Sequence, residues 1–314
     1  MKQLVTLAAL AFAWLAAPAF ADKLGPLVSP QALEAIEAAS KPLIIDIRGN
    51  NDKGESLFEA GHIAGAVNAP YGLFRGPSDN PGQLISADSL QKVLRDIGAD
   101  KDRPTVVAYQ GKDISDFGAA ARVYWTLKSA GFTDLSLLNG GIDNWKLAGL
   151  PLESGKAVLT PSSIEVTFSD QWLATTDDVL KIVNGDQKAR LIDARPEDFW
   201  NGEKKHPAAA RPGTLPQSEY FVHSSWFDNK PVIADAAKVK KLAAAGGFKN
   251  GEALVSFCNT GHWAATNWFA LSELAELDNV KLYPESMVGY SNAGHEMANT
   301  PGLFKTLIKQ VTGS

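Results

Sequence analysis

An apolar run ending in Asp-x-Arg occurs twice in this chain. Leu43-Ile44-Ile45-Asp46-Ile47-Arg48 has its counterpart in Arg190-Leu191-Ile192-Asp193-Ala194-Arg195. Each is followed by a second apolar run, Pro104-Thr105-Val106-Val107-Ala108-Tyr109 in one half and Ala253-Leu254-Val255-Ser256-Phe257 in the other. Each second run enters a turn and then a helix-like stretch that carries a tryptophan, Trp125 or Trp268. Both halves close on a glycine-containing segment and a proline, Leu150-Pro151 and Thr300-Pro301. Self-similarity at so long a period marks a duplicated domain rather than a solenoid. Short apolar strands alternating with helices predict α/β domains, each a mainly parallel sheet flanked by helices. A length of 314 residues accommodates two of them. The expected partition is a targeting segment over 1–21, a first domain over 22–152, a linker over 153–163 and a second domain over 164–314.

The chain has one cysteine, Cys258, in Val255-Ser256-Phe257-Cys258-Asn259-Thr260-Gly261-His262-Trp263. A strand-like run ends there, and Ala264-Ala265-Thr266-Asn267-Trp268-Phe269-Ala270-Leu271 reads as a helix. The sulfur is thus expected in a turn beyond the C-terminal end of a parallel strand, where open α/β sheets bind ligands. Free backbone N–H groups and the positive end of the helix dipole gather at such a turn and favour the nucleophilic thiolate. The competing reading is that Cys258 is a small buried hydrophobe.

The N-terminus bears on that choice. Lys2 precedes an apolar stretch from Leu4 to Ala17, and Ala19-Phe20-Ala21 supplies small residues at a cleavage spacing. This predicts a secretory signal peptide cut after Ala21 and a periplasmic protein, with no membrane attachment once the signal is gone. The alternative, a membrane anchor, has too short an apolar stretch. In an oxidising compartment cysteines usually pair, and a single one marks a reactive thiol. Its solitude excludes a CxxC redox pair and a cysteine-rich zinc site. His62, His206, His223, His262 and His295 show no tight metal-ligand spacing, so no metal and no cofactor are expected. A net charge of −5 gives no basic footprint for nucleic acid.

Several motifs together resemble a rhodanese domain from end to end in the first half. They are Asp46-Ile47-Arg48, Gly61-His62-Ile63-Ala64-Gly65-Ala66-Val67-Asn68, Gly118-Ala119-Ala120-Ala121-Arg122, Leu138-Asn139-Gly140-Gly141-Ile142-Asp143-Asn144-Trp145 and Ala148-Gly149-Leu150-Pro151. The second half resembles a more divergent one, with Asp193-Ala194-Arg195, Arg211-Pro212-Gly213-Thr214-Leu215-Pro216, Cys258 and Tyr283-Pro284-Glu285-Ser286-Met287. The order is similar to that of tandem-domain sulfurtransferases of the thiosulfate and 3-mercaptopyruvate type. That resemblance implies an inactive first domain and a catalytic Cys258 in the second. Aligning the two turns by eye sets Tyr109-Gln110 opposite Phe257-Cys258. It implies a persulfide cradled by Asn259, Thr260, Gly261, His262 and Trp263, loaded from a donor such as thiosulfate and discharged to cyanide or a thiol in two steps. Asp46 with Arg48, and His62, read as structural groups of the first domain.

Two features depart from the family pattern. Trp263 occupies the loop position where a hydroxyl or a cation is common, and offers a single N–H donor. Glu197-Asp198-Phe199-Trp200 stands where tandem enzymes often carry another arginine. Arg195 or Arg211 are the tentative substrate-binding cations, with His262 as an aid when protonated; for each, a structural ion pair or a solvated side chain is the alternative. Trp125, Trp145 and Trp268 are expected in the core, and Trp200 and Trp226 beside the cleft. Three functions compete: a sulfurtransferase, a phosphatase of the Cys-x5-Arg type, and a sulfur carrier that delivers its persulfide to a periplasmic partner protein. The phosphatase needs an arginine six residues beyond the cysteine, and Ala264 stands there. Because the duplication already pairs two domains, a monomer is the expected state.

Overall fold

The computed structural model describes residues 24–301, apart from 229 and 234. The expected signal peptide, 1–21, lies outside them. Among the described residues no helix is long and apolar enough to cross a membrane.

The first half contains β1 (Leu27–Val28), α1 (Pro30–Ser40), β2 (Leu43–Asp46), α2 (Leu57–Ala60), β3 (Val67–Asn68), α3 (Ala87–Asp96), β4 (Thr105–Ala108), α4 (Phe117–Ser129), β5 (Leu135–Leu138) and α5 (Gly141–Leu147). Its five strands run in the order β1-β5-β4-β2-β3, all parallel. The second half contains α6 (Thr176–Val183), β6 (Arg190–Asp193), α7 (Glu197–Trp200), β7 (Glu219–Tyr220), α8 (Ala236–Ala245), β8 (Leu254–Phe257), α9 (Trp263–Phe269), β9 (Val280–Leu282) and α10 (Ser286–Asn292). Its four strands run β7-β6-β8-β9, again parallel. A parallel bridge from Leu173 to Leu282 stands where the first sheet has its fifth strand. The central strands are apolar and fully buried, as parallel strands covered on both faces must be. The fold is therefore α/β, two domains each built on a parallel sheet flanked by helices.

Capping chemistry sets several helix starts. Ser29 caps α1 with Pro30 in its first turn, Ser86 caps α3, and Thr175 with Asp178 forms a capping box on α6. Helix α4 is buried along nearly its whole length, its polar Arg122 and Thr126 included. It lies between the domains. Tyr124 meets Phe269 edge-on with ring centroids 5.0 Å apart, and Phe117 meets Phe269 at 5.6 Å and Phe227 at 5.4 Å. One apolar cluster accordingly runs through both halves. Glu273 ties the far end of this seam, accepting from Tyr124 (2.9 Å) and Lys128 (2.7 Å). The connecting segment keeps to the first domain. Glu153 exchanges backbone bonds with His62, Ser162 donates to the Arg95 carbonyl, and Ser169 donates to the Ser129 carbonyl.

Candidate active site

Strand register corrects the alignment of the two turns by one residue. Asp46 pairs with Ala108, and Asp193 pairs with Phe257. Tyr109 is therefore the counterpart of Cys258, and Gln110 that of Asn259. The backbone agrees: Ile142 and Asp143 donate to the Tyr109 and Gln110 carbonyls, as Met287 and Val288 donate to those of Cys258 and Asn259. The Asp-x-Arg motifs agree too. Arg48 is held by Asp46 at 2.6 Å and reaches Gln110 Oε1 at 3.5 Å. Arg195 is held by Asp193 at 2.6 Å and reaches Asn259 Oδ1 at 3.4 Å. The expectation of Gln110 opposite Cys258 failed because a turn carries no periodicity that fixes register, whereas a ladder of strand hydrogen bonds does.

Cys258 follows β8 directly and is 1% exposed. Its N–H donates to Ser286 Oγ (3.0 Å), whose hydroxyl donates to the Tyr283 carbonyl (2.7 Å). Ser286 holds a φ of +51, in the left-handed region that side chains other than glycine rarely adopt. Its first-domain counterpart by register is Gly141, at φ +62.

The loop beyond Cys258 has its carbonyls fixed from outside. The Cys258 and Asn259 carbonyls accept from the Met287 and Val288 amides, both at 3.0 Å. The Thr260 carbonyl accepts from Arg75 Nη2 (2.9 Å), and the Gly261 carbonyl accepts from Arg122 Nη1 at the long distance of 3.5 Å. In a planar trans peptide the N–H of one residue points opposite to the C=O of the residue before it. Four carbonyls held outward therefore turn the amides of Asn259, Thr260, Gly261 and His262 to the other side. Among the described residues these four amides meet no acceptor. Gly261 makes the turn possible at φ +67; a Cβ there would lie 2.6 Å from the Pro284 carbonyl oxygen. Such a run of amides is an anion-binding concavity.

The next two residues are pinned to the first domain. His262 Nε2 faces the Ser115 carbonyl at 2.8 Å and so carries the proton; Nδ1 then accepts from the Tyr71 hydroxyl at 3.1 Å. Burial, reinforced by Arg75, pushes His262 down to about 4, so it is neutral. Trp263 Nε1 donates to Ser115 Oγ (2.7 Å), and its ring stacks on His223 at 4.9 Å. The indole N–H expected to face a substrate is thus occupied. Ser115 lies in the first domain's own turn after β4, so the two related turns grip each other. Gly118 permits this approach, since a Cβ there would lie 2.8 Å from the His262 ring.

The structure distributes the expected cations unevenly. Arg195 touches the loop through Asn259 but is 1% exposed, with its charge matched by Asp193 and a further bond to the Gly213 carbonyl at 2.9 Å. Arg211 is exposed and bonds to the His295 carbonyl, not to a loop residue. His262 is a neutral tie between domains. Trp226 is 1% exposed and donates to Asn267 Oδ1, so it belongs to the core and not to a cleft; Trp200, partly buried, packs against Tyr220. Tyr71, Arg75, Arg122, Ser115 and Ser286 were not singled out from the sequence. Arg122 lay in a motif read only as a family signature, and Arg75 lies in Leu73-Phe74-Arg75-Gly76, which carries no pattern. Among the described residues no group of three or more His, Cys, Asp or Glu side chains is placed to hold a metal ion.

Known proteins match this arrangement. The profile of the rhodanese-like domain family fits residues 29–148 and again 175–293. A putative thiosulfate sulfurtransferase of Mycobacterium bovis is 29% identical over 276 residues, covering 85% of this chain and 94% of the relative. A sulfur carrier protein of Thermus thermophilus is 27% identical over 253 residues, covering 77% and 86%. The crystal structure of a 3-mercaptopyruvate sulfotransferase from Escherichia coli superposes with a TM-score of 0.71 at 24% identity, covering 84% of this chain and 99% of that one. With both halves matched by one family profile, the chain is a tandem member of the rhodanese-like domain family.

Proposed function

We propose that this protein is a sulfurtransferase that carries sulfur as a persulfide on Cys258. The observation that carries this reading is the loop itself: four carbonyls engaged from outside and four amides left free beside the only cysteine. In the first step the Cys258 thiolate attacks the outer sulfur of a donor such as thiosulfate. The donor's S–S bond breaks, its electron pair leaves with sulfite, and Cys258 becomes Cys–S–S⁻. The amides stabilise the anion without a proton transfer. In the second step cyanide or a thiol attacks the outer sulfur and returns the thiolate, which makes the kinetics ping-pong. The names of the relatives, thiosulfate sulfurtransferase among them, support the reaction class.

The near-complete burial of Cys258 favours one second reading, a sulfur carrier whose persulfide is shielded until a partner protein docks. The named sulfur carrier among the relatives supports it. One experiment separates the two. Intact mass spectrometry after exposure to thiosulfate should reveal a gain of one sulfur atom that Cys258→Ser abolishes. Rapid loss of that sulfur to cyanide supports turnover; persistence supports carriage. No gain with any sulfane donor overturns both. We also propose export through the 1–21 signal and a monomeric periplasmic protein. N-terminal sequencing of protein from fractionated cells, and its mass in solution, test this.

A further inference from the structure

The first domain lacks a nucleophile at Tyr109, yet it sends two guanidinium groups to the Cys258 loop. Arg122 is 0% exposed, and its Nε, shielded from solvent, meets no acceptor. Its other bonds go to carbonyls, of Gly82 at 3.0 Å and of Gly261. Arg75 rests on the Tyr71 ring at 5.1 Å and bonds to the Thr260 carbonyl; its Nη1 is likewise shielded and without an acceptor. Among the described residues neither arginine has a carboxylate within ion-pair distance. Arg48 and Arg195 each have one. Arg75 and Arg122 also lie close enough to repel one another, and Arg122 and Tyr71 lie within electrostatic reach of Cys258. Two like charges without a counter-ion, Arg122 fully buried and Arg75 half-buried, are costly. The other titratable neighbours do not offset them. Tyr71 and His262 are neutral, burial lowers His206 beside Arg75, and Glu285, which accepts from Asn80, forms no ion pair with either arginine.

We propose that the first domain supplies the cationic half of the site: Arg75 and Arg122 hold the Thr260 and Gly261 carbonyls outward and set a positive field on the sulfur of Cys258, whose anion is their counter-ion. This rests on the persulfide reading and assigns it residues from the domain with no nucleophile. It also accounts for the second domain's poverty in free cations, with Trp263 in the loop, Arg195 neutralised by Asp193, and Arg211 directed to His295. Arg122 is a positioning residue, fixed in the seam. Arg75, at the outer side, is the specificity-determining one, because an anionic donor approaching the loop meets its field.

The test uses the intact protein and compares alkylation of Cys258 by iodoacetate, an anion, with alkylation by neutral iodoacetamide. A positive field at the sulfur raises the iodoacetate-to-iodoacetamide rate ratio above that of free cysteine under the same conditions. Arg75→Gln lowers this ratio severalfold and slows sulfur loading from thiosulfate roughly tenfold or more, the scale of removing one nearby opposite charge. Arg75→Lys, which keeps the charge, restores the ratio. The proposal is overturned if Arg75→Gln leaves ratio and loading unchanged, or if Gln and Lys impair loading equally with an unaltered ratio, which would make Arg75 a strut only. Should Arg75→Gln fail to fold, the wild-type ratio decides: at or below that of free cysteine, the proposal falls. Wild-type protein that never gains sulfur speaks against the persulfide, while the ratio still judges the arginines.

Discussion

Ser286 and Gly261 fix the backbone on either side of the candidate nucleophile by different means. Ser286 accepts the Cys258 N–H while held at φ +51, so its hydroxyl is worth the backbone strain. Ser286→Ala leaves a buried donor without a partner and should cost about 1–3 kcal/mol, measurable by urea unfolding. Ser286→Thr keeps the hydroxyl but adds β-branching at a positive φ and should not fully recover it. Gly261→Ala acts on both function and stability, since alanine is strained at this positive φ. Its Cβ would press on the Pro284 carbonyl, 2.6 Å away, and on Arg122, so the loop must open. Sulfur loading by thiosulfate should fall by roughly tenfold or more in that variant, the scale of a lost oxyanion donor, and its melting temperature should fall as well. Loading at the wild-type rate would show that the turn need not be this tight.

At the scale of elements, the duplication, the buried strands and the position of Cys258 past β8 were legible because each is local. An apolar run followed by a glycine-bearing turn writes its structure into adjacent residues. The Asp46–Arg48 pair was legible for the same reason, its partners being two residues apart, whereas Arg195 in the matching motif was expected to bind substrate and is instead paired with Asp193. What organises the loop was not. Arg75 reaches Thr260 across 185 residues and Arg122 reaches Gly261 across 139, and no spacing in one segment announces a partner in another domain. The register of the turns was misread by one residue on similar grounds, since only inter-strand bonds set it. The mutual grip of the two turns was equally invisible, and it is testable. Ser115→Ala removes the acceptor of the Trp263 indole but leaves the Ser115 carbonyl that His262 uses. The loss should be about 1 kcal/mol in denaturant unfolding, and Trp263→Phe should cost less by a similar amount when Ser115 is already alanine than in the wild-type background. Additive losses would mean that the pair does not interact.

At the scale of the whole molecule, the seam between domains determines how stability responds to pH. His262 joins the domains through Tyr71 and Ser115, and His223 lies under Trp263. Burial lowers His262 from its ordinary 6.5 to about 4, and lowers His206 and His223 in the same direction. The folded state therefore keeps these rings neutral where the unfolded chain would already bind protons. Above pH 6.5 neither state gains, and the seam is at full strength. As the pH falls below 6.5 the unfolded state takes up protons that the folded state refuses, so stability declines until His262 itself titrates near 4. Urea midpoints measured across that window should decline with acidity, and those of His262→Gln should decline less steeply. Because one apolar cluster spans both halves, the decline should appear as a single transition rather than as separate melting of two domains. Two resolved transitions, or a variant as acid-sensitive as the wild type, would place the acid-labile group elsewhere than in the seam.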